Sequence, residues 1–285
     1  MFLAELELLS NGTFPHNNTT GGTLPAGFEN LRTGIAAGSS IPAELMRKLH
    51  RSLNLTQLTI CYGMTETSPV SAMTTTDDPV QKRIETVGRL LPHVTAKIVS
   101  PTDHSQILDV GQRGELAVNG YLVMKGYWGD AVRTAEVLKP DADGRMWMHT
   151  GDEASMDEEG YVTITGRIKD LIIKGGENIH PLEVENCLLA HEDVQEVSVV
   201  GLPDERYGEV VAAFVVRRKA GGKEVEVKAE EVREWVRQRL SNHLVPKYVF
   251  WVSSEEFPKT ASGKIQKFKL KEMGIKWVGE GLGLQ

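Results

Sequence analysis

From residue 31 onward the hydrophobic pattern comes in short pieces. The stretch LRTGIAAG predicts a short buried strand running into a glycine turn, and LTQLTICYGMTETS an apolar, β-rich run ending in a polar turn. Between them, SSIPAELMRKLHRSL predicts a helix, with Ser40 as N-cap, Pro42 in the first turn, Glu44 early and basic residues late. Residues 1–10 read as the end of an amphipathic helix, and the Gly-, Thr- and Asn-rich segment up to Asn30 as a loop. From Val87 to Tyr127 the apolar positions sit in short runs such as TAKIVS and GELAVNG, broken by Gly and Pro, as in a small β-barrel or curled sheet. Further turns and strands follow over 134–170, including DGRMWMHTGD and GYVTITGR.

The texture changes after Asp170. PLEVENCLLAH predicts a helix with Pro181 near its start, and VQEVSVVGL and EVVAAFVVRRK predict strands. KAEEVREWVRQRLSNHL predicts an amphipathic helix, with Val232, Val236 and Leu240 at four-residue spacing. The expected organisation is therefore mixed α/β and α+β, with a boundary near GRIKD: residues 1–169 form one part, and 170–285 a small α+β domain.

Composition narrows the class. The 285 residues are 40% hydrophobic and 25% charged, as in a soluble globular protein, and carry a net charge of −7. That charge speaks against a general nucleic-acid or membrane-surface binder, and no apolar run approaches the roughly 18 residues of a membrane span. The opening MFLAELELLS contains Glu5 and Glu7 and does not read as a signal peptide. Two cysteines, Cys61 and Cys187, make neither a disulfide framework nor a zinc pattern, so a reducing, intracellular compartment is expected, cytoplasmic or organellar. The histidines show no ligand spacing and read as structural or surface residues.

Four stretches carry the chemistry: CYGMTETSPV (61–70), GELAVNGYLVMKGYW (114–128), HTGDEASMDEEGYVTITGRIKDLIIKGGENIHPLEVE (149–185) and FPKTASGKIQKFKL (257–270). In this order they closely resemble the adenylate-forming superfamily, the acyl- and aryl-CoA synthetases with their luciferase and peptide-synthetase relatives. The resemblance implies the C-terminal portion of the large AMP-binding domain (a sheet remnant plus a small β-barrel subdomain) over 1–169. A small mobile α+β C-terminal domain would follow over 170–285. It further implies ATP, Mg²⁺, CoA and a small-molecule carboxylic acid as cofactor and substrates, without nucleic acid or an integral membrane segment.

The resemblance distributes roles over residues. Tyr62 would lie beside the adenine with Gly63 in the same turn, Thr65 on the α-phosphate and Glu66 on Mg²⁺. An aromatic face suits a base, a hydroxyl donates to phosphate oxygen, and a hard carboxylate suits Mg²⁺. Asp152 would accept both ribose hydroxyls and Arg167 would stand nearby as a fixed cation. Gly38 and Ser39 of TGIAAGSS would pass along the adenine and acyl pocket. Lys264 would stabilise the crowded negative charge of adenylate formation. Lys169 would be the hinge, and Gly175 and Gly176 would let backbone approach the pantetheine arm.

One motif fails. The stretch TTGGTLPAG has Ala26 where the family's phosphate loop ends in Pro-Lys, and it reads as a surface loop. The expected function is therefore an acyl-CoA ligase, of medium-chain flavour, represented here by a truncated chain that is weak or inactive alone. The alternative is a non-catalytic remnant serving as a nucleotide-binding or interaction module.

Overall fold

The computed structural model describes residues 30–37, 43–220, 223–261 and 263–284. The expected helix over 1–10, the TTGGTLPAG loop, the Ser40 cap and the Gly38 and Ser39 positions lie outside them. The chain divides into two compact units, residues 1–164 and 165–285.

In the first unit, strands β1 (Thr33–Ala36), β2 (Gln57–Tyr62), β3 (Ala72–Met73) and β4 (Arg89–Leu90) form a sheet in that order. β1 and β2 are parallel, Thr33 opposite Gln57 and Ala36 opposite Ile60, joined through helix α1 (Ala43–Leu53). Met46, Leu49 and Leu53 fall on one helical stripe and bury against Ala36, Leu58, Ile60 and Ile84, the last from helix α2 (Val80–Glu85). The strand predicted in LRTGIAAG forms, but only Ala36 of it is buried; Ile35 faces outward.

The second sheet of this unit runs β5 (Val94–Val99), β6 (Gly114–Gly120), β8 (Met146–Met156), β7 (Leu138–Pro140), and β9 (Val162–Arg167) also pairs with β8. Helix α3 (Ala131–Val137) precedes β7, with Asp130 capping it by accepting from the Arg133 amide. Among the described residues the sheet does not close into a barrel, since β5 pairs only with β6; of the two sequence expectations, the unclosed sheet is the one that forms. Val94, Ile98, Leu116, Val118, Ala154 and Val162 fill its core. The division into units falls within β9, after Ile164.

The second unit has one mixed sheet: β11 (Glu177–Ile179), β10 (Ile172–Lys174), β13 (Gly208–Arg217), β12 (Val194–Asp204), with β16 (Tyr248–Trp251) parallel to β13. A small ribbon of β14 (Lys219–Ala220) and β15 (Lys223–Glu224) follows β13. The run VVAAFVV, Val210–Val216, is apolar throughout because this part of β13 is buried on both faces. Val211, Ala213 and Val215 pack toward helices α4 (Pro181–Leu189) and α5 (Ala229–Arg237), through Val184, Leu188, Val232 and Val236. Val210, Ala212, Phe214 and Val216 pack on the opposite side with Phe250 and with Leu270 of helix α6 (Lys267–Gly279). No helix among the described residues is long and apolar enough to cross a membrane.

Candidate active site

In the first unit β2 delivers Tyr62 to a tight polar turn. Gly63 is required there by contact, because a Cβ at this position would stand 1.7 Å from the Pro69 carbonyl oxygen. A 3₁₀ turn, Thr65–Thr67, follows. Thr67, fully buried, closes it: its hydroxyl oxygen accepts from the Met64 amide at 3.0 Å. Thr65 is left exposed and Glu66 half-buried.

Two distant stretches meet this turn. The Tyr62 hydroxyl donates to Asp152 Oδ2 at 2.6 Å across a separation of 90 residues. The Tyr127 hydroxyl donates to Glu66 Oε1 at 2.8 Å, and the Met124 amide donates to the Glu66 carbonyl at 2.9 Å. Burial, then the hydrogen bond and negative charge of Glu66, push the Tyr127 phenol above its ordinary range, so it stays a donor at neutral pH.

Asp152 sits in β8 beside a buried cluster. Glu115 of β6 accepts from the Gly151 amide at 3.0 Å through Oε1 and lies 2.8 Å from His149 Nδ1 through Oε2. His104 Nε2 lies 3.2 Å from the same oxygen, and Lys139 Nζ 2.8 Å from His104 Nδ1. Burial alone would raise the Glu115 carboxyl, but the His149 hydrogen bond and charge, the Gly151 amide and His104 outweigh it and hold the group below the usual carboxylate range. Burial, reinforced by Lys139, lowers His104. His149, 7% exposed and paired with the Glu115 carboxylate, is a buried structural histidine whose partner the sequence did not indicate. Sequence spacing carried no sign of it, because the pairing arises from the β6–β8 register. Tyr127 was likewise not singled out, although it lies inside GYW.

The second unit holds Arg167, Lys169, Gly175, Gly176 and Lys264. Arg167 ends β9 and is exposed; Lys169 is exposed in the 3₁₀ turn Ile168–Asp170. Gly175 and Gly176, at φ 62° and 87°, form the two-residue connection between β10 and β11, where Lys174 pairs with Glu177. Two consecutive left-handed residues are what a tight hairpin of this kind demands, so both glycines have a local structural reason. Lys264 is exposed in a narrow loop whose sides meet through a Lys259–Ile265 bridge. The Lys264 carbonyl accepts from the Thr260 amide at 2.8 Å, and its amide donates to Thr260 Oγ1 at 3.1 Å. Gly263 turns the loop at φ 83°. Its base is tied down by Lys259 to Glu196 at 2.8 Å and Lys267 to Glu185 at 2.7 Å. Cys187, expected in the core, is half-buried against the α4–α5 cluster.

The chain is similar to known proteins over most of its length. Residues 7–128 match the AMP-binding enzyme model and residues 183–264 the AMP-binding enzyme C-terminal domain. The chain is 46% identical over 255 residues to the acyl-CoA ligase SID4 of Ajellomyces capsulatus, covering 88% of this chain and 43% of that protein. It is 44% identical over 245 residues to the mitochondrial medium-chain acyl-CoA ligase ACSF2 of Bos taurus, covering 86% of this chain and 38% of that one. The solved structure of ATP-bound MatB from Rhodopseudomonas palustris superposes with a TM-score of 0.75 at 32% identity, over 85% of this chain and 45% of that one. The chain thus spans less than half the length of these relatives. Matched by both models, and carrying in sequence the motifs from YGMTE to SGK, it belongs to the adenylate-forming AMP-binding enzyme family, among relatives that are acyl-CoA ligases.

Proposed function

We propose that this chain is the nucleotide-handling portion of an acyl-CoA ligase that activates a carboxylic acid with ATP and passes the acyl group to CoA. The observation that carries the reading is the Tyr62–Asp152 hydrogen bond at 2.6 Å, which joins the YGMTE turn to the HTGD strand. An aromatic ring for adenine and a carboxylate for ribose hydroxyls then stand side by side, and Thr65, in the 3₁₀ turn that follows Tyr62, has a hydroxyl suited to the α-phosphate. Glu66, held by Tyr127, is a hard oxygen donor on a short turn and fits Mg²⁺, which when bound would neutralise phosphate charge. In the second unit Arg167 would face the ribose and phosphate, and Lys264 would meet the carboxylate and phosphate as the acyl-adenylate forms. Lys169 would act as the hinge, with Gly175 and Gly176 along the pantetheine path. The identity of the ACSF2 relative supports a medium-chain acid as substrate, and Gly38 and Ser39 remain candidates for the pocket wall.

These 285 residues contain no Ser/Thr/Gly-rich loop ending in Pro-Lys, and donors for the β- and γ-phosphates are therefore lacking within them. The chain alone is expected to bind adenylate but turn over poorly. The test is calorimetric binding of an acyl-sulfamoyl-adenosine, a stable analogue of acyl-AMP. Asp152→Ala is expected to weaken binding about tenfold or more, the scale of a lost charge-assisted hydrogen bond. Equal affinity in the variant would overturn the site assignment. Robust ATP–pyrophosphate exchange by the chain alone would overturn its dependence on residues outside it.

A further inference from the structure

We propose that Glu115 is a positioning residue: its buried carboxylate shapes the turn at Gly151 and so holds Asp152 where the ribose hydroxyls can reach it. This rests on the nucleotide-site reading above.

The evidence lies in the register of the sheet. On β6 only two positions separate Glu115 from Ala117, whereas their partners on β8, Glu153 and His149, are four apart. β8 therefore sets Thr150, Gly151 and Asp152 against Leu116 alone, a bulge with two extra residues that re-aims the side chains within it. Bulged backbone loses its ladder partners and must find others. Glu115 supplies one: Oε1 accepts from the Gly151 amide at 3.0 Å, and Gly151 adopts φ 69°. Its other oxygen takes His149 Nδ1 at 2.8 Å, immediately before the bulge. Thr150 adds a second pin, donating to the Leu116 carbonyl at 2.8 Å and accepting from the Asp152 amide at 3.1 Å. Both oxygens of a carboxylate only 6% exposed are thus engaged by the strand segment that presents Asp152 to Tyr62. A buried carboxylate whose two oxygens are both engaged holds the groups that face it in one arrangement.

The same residues raise a rival. His104, Glu115 and His149 each offer a ligand atom within 4.8 Å of the others, and two imidazoles with a carboxylate are a zinc donor set. The Lys139 ammonium opposes it. At 2.8 Å it donates to His104 Nδ1, which leaves the proton on Nε2, pointed at Glu115. A metal would need that lone pair and would sit beside a fixed cation.

The test uses the 285-residue chain and two readouts: amide hydrogen exchange at Gly151, and calorimetric binding of AMP against 2′,3′-dideoxy-AMP. Wild type is expected to prefer AMP by about tenfold, the scale of a charge-assisted hydrogen bond to ribose. Glu115→Ala is expected to speed Gly151 exchange at least about tenfold and to cut the preference below about twofold. Glu115→Gln keeps an acceptor for the Gly151 amide but cannot accept from both imidazoles, so it should retain protection and show a preference of about threefold. Should the alanine variant fail to fold, the glutamine variant decides alone, and an unchanged preference overturns the proposal. A full preference in Glu115→Ala overturns it as well. A wild-type chain that binds both nucleotides equally, or neither, overturns the ribose assignment, and Gly151 exchange then reports on the clamp by itself. One equivalent of Zn²⁺ bound by wild type and lost in Glu115→Ala overturns it in favour of a metal centre.

Discussion

Asp152 and Tyr62 lie 90 positions apart and meet at 2.6 Å, and the groups that hold them are charged and buried, so the first consequences are residue by residue. Glu115 has a folded pKa below its ordinary 4.5, and His104 one below its ordinary 6.5. In both cases the unfolded chain binds more protons, so stability is fully present at high pH and is lost on acidification. His104 contributes first, as pH falls below about 6.5, and Glu115 next, as pH falls from about 4.5 through its depressed value. The melting temperature of the first unit should therefore fall on acidification, and His104→Gln should flatten the upper part of that fall. A melting temperature independent of pH between about 7 and 4 would contradict the linkage. Tyr127→Phe removes one hydroxyl donor to Glu66 and should cost about 1 kcal/mol, read as a lower denaturation midpoint. Of these residues, Tyr62, Glu66 and Asp152 were legible from motifs. Glu115, His149 and Tyr127 were not, because their partners come from strand register and from a loop crossing rather than from spacing along the chain.

The elements show where local pattern suffices and where it stops. The run VVAAFVV is legible as a strand because a segment buried on both faces needs apolar residues at every position, and Val210–Val216 of β13 is such a segment. Helix α5 is legible in its body but not in its end. It stops at Arg237, while the pattern through Leu240 suggested another turn. The amides of Arg239 and Leu240 both donate to the Val236 carbonyl, at 3.0 and 2.8 Å, tightening the terminus, and Leu240 still packs on the same core. Periodicity reports the apolar face, not the hydrogen bonding that terminates a helix. Sheet closure is equally invisible to strand pattern, since alternation is the same in an unclosed sheet and in a barrel. The YGMTE turn gives a sharp prediction at this scale. Gly63→Ala forces a methyl group into the Pro69 carbonyl and should destabilise by on the order of 3 kcal/mol, with a melting temperature lower by several degrees. A variant that melts within one degree of wild type would show that the turn yields easily.

At the scale of the whole molecule the division after Ile164 assigns the proposed chemistry to two bodies: Tyr62, Thr65, Glu66 and Asp152 to one, Arg167, Lys169 and Lys264 to the other. Under that proposal one reaction draws on both sets, with Lys169, exposed in the 3₁₀ turn Ile168–Asp170 near the start of the second unit, as the proposed hinge. This separates the two half-reactions. The cleanest vehicle is a chimaera in which this chain follows the preceding residues of the 46%-identical SID4 ligase, so that phosphate donors are supplied. In it, Lys264→Ala should slow adenylate formation by about a hundredfold, or roughly 3 kcal/mol, the scale for one lost transition-state cation. The same variant should leave thioester formation from preformed acyl-AMP largely intact, because the narrow loop is held at its base by the Glu196 and Glu185 pairs and not by the Lys264 side chain. Lys169→Pro should do the reverse. A ring that fixes φ near −65° at the joining turn restricts any swing there, so the step that follows adenylation should suffer more than adenylation itself. Single-turnover assays of each half-reaction for each variant decide the matter. Equal slowing of both steps by both substitutions would remove Lys264 and Lys169 from these roles.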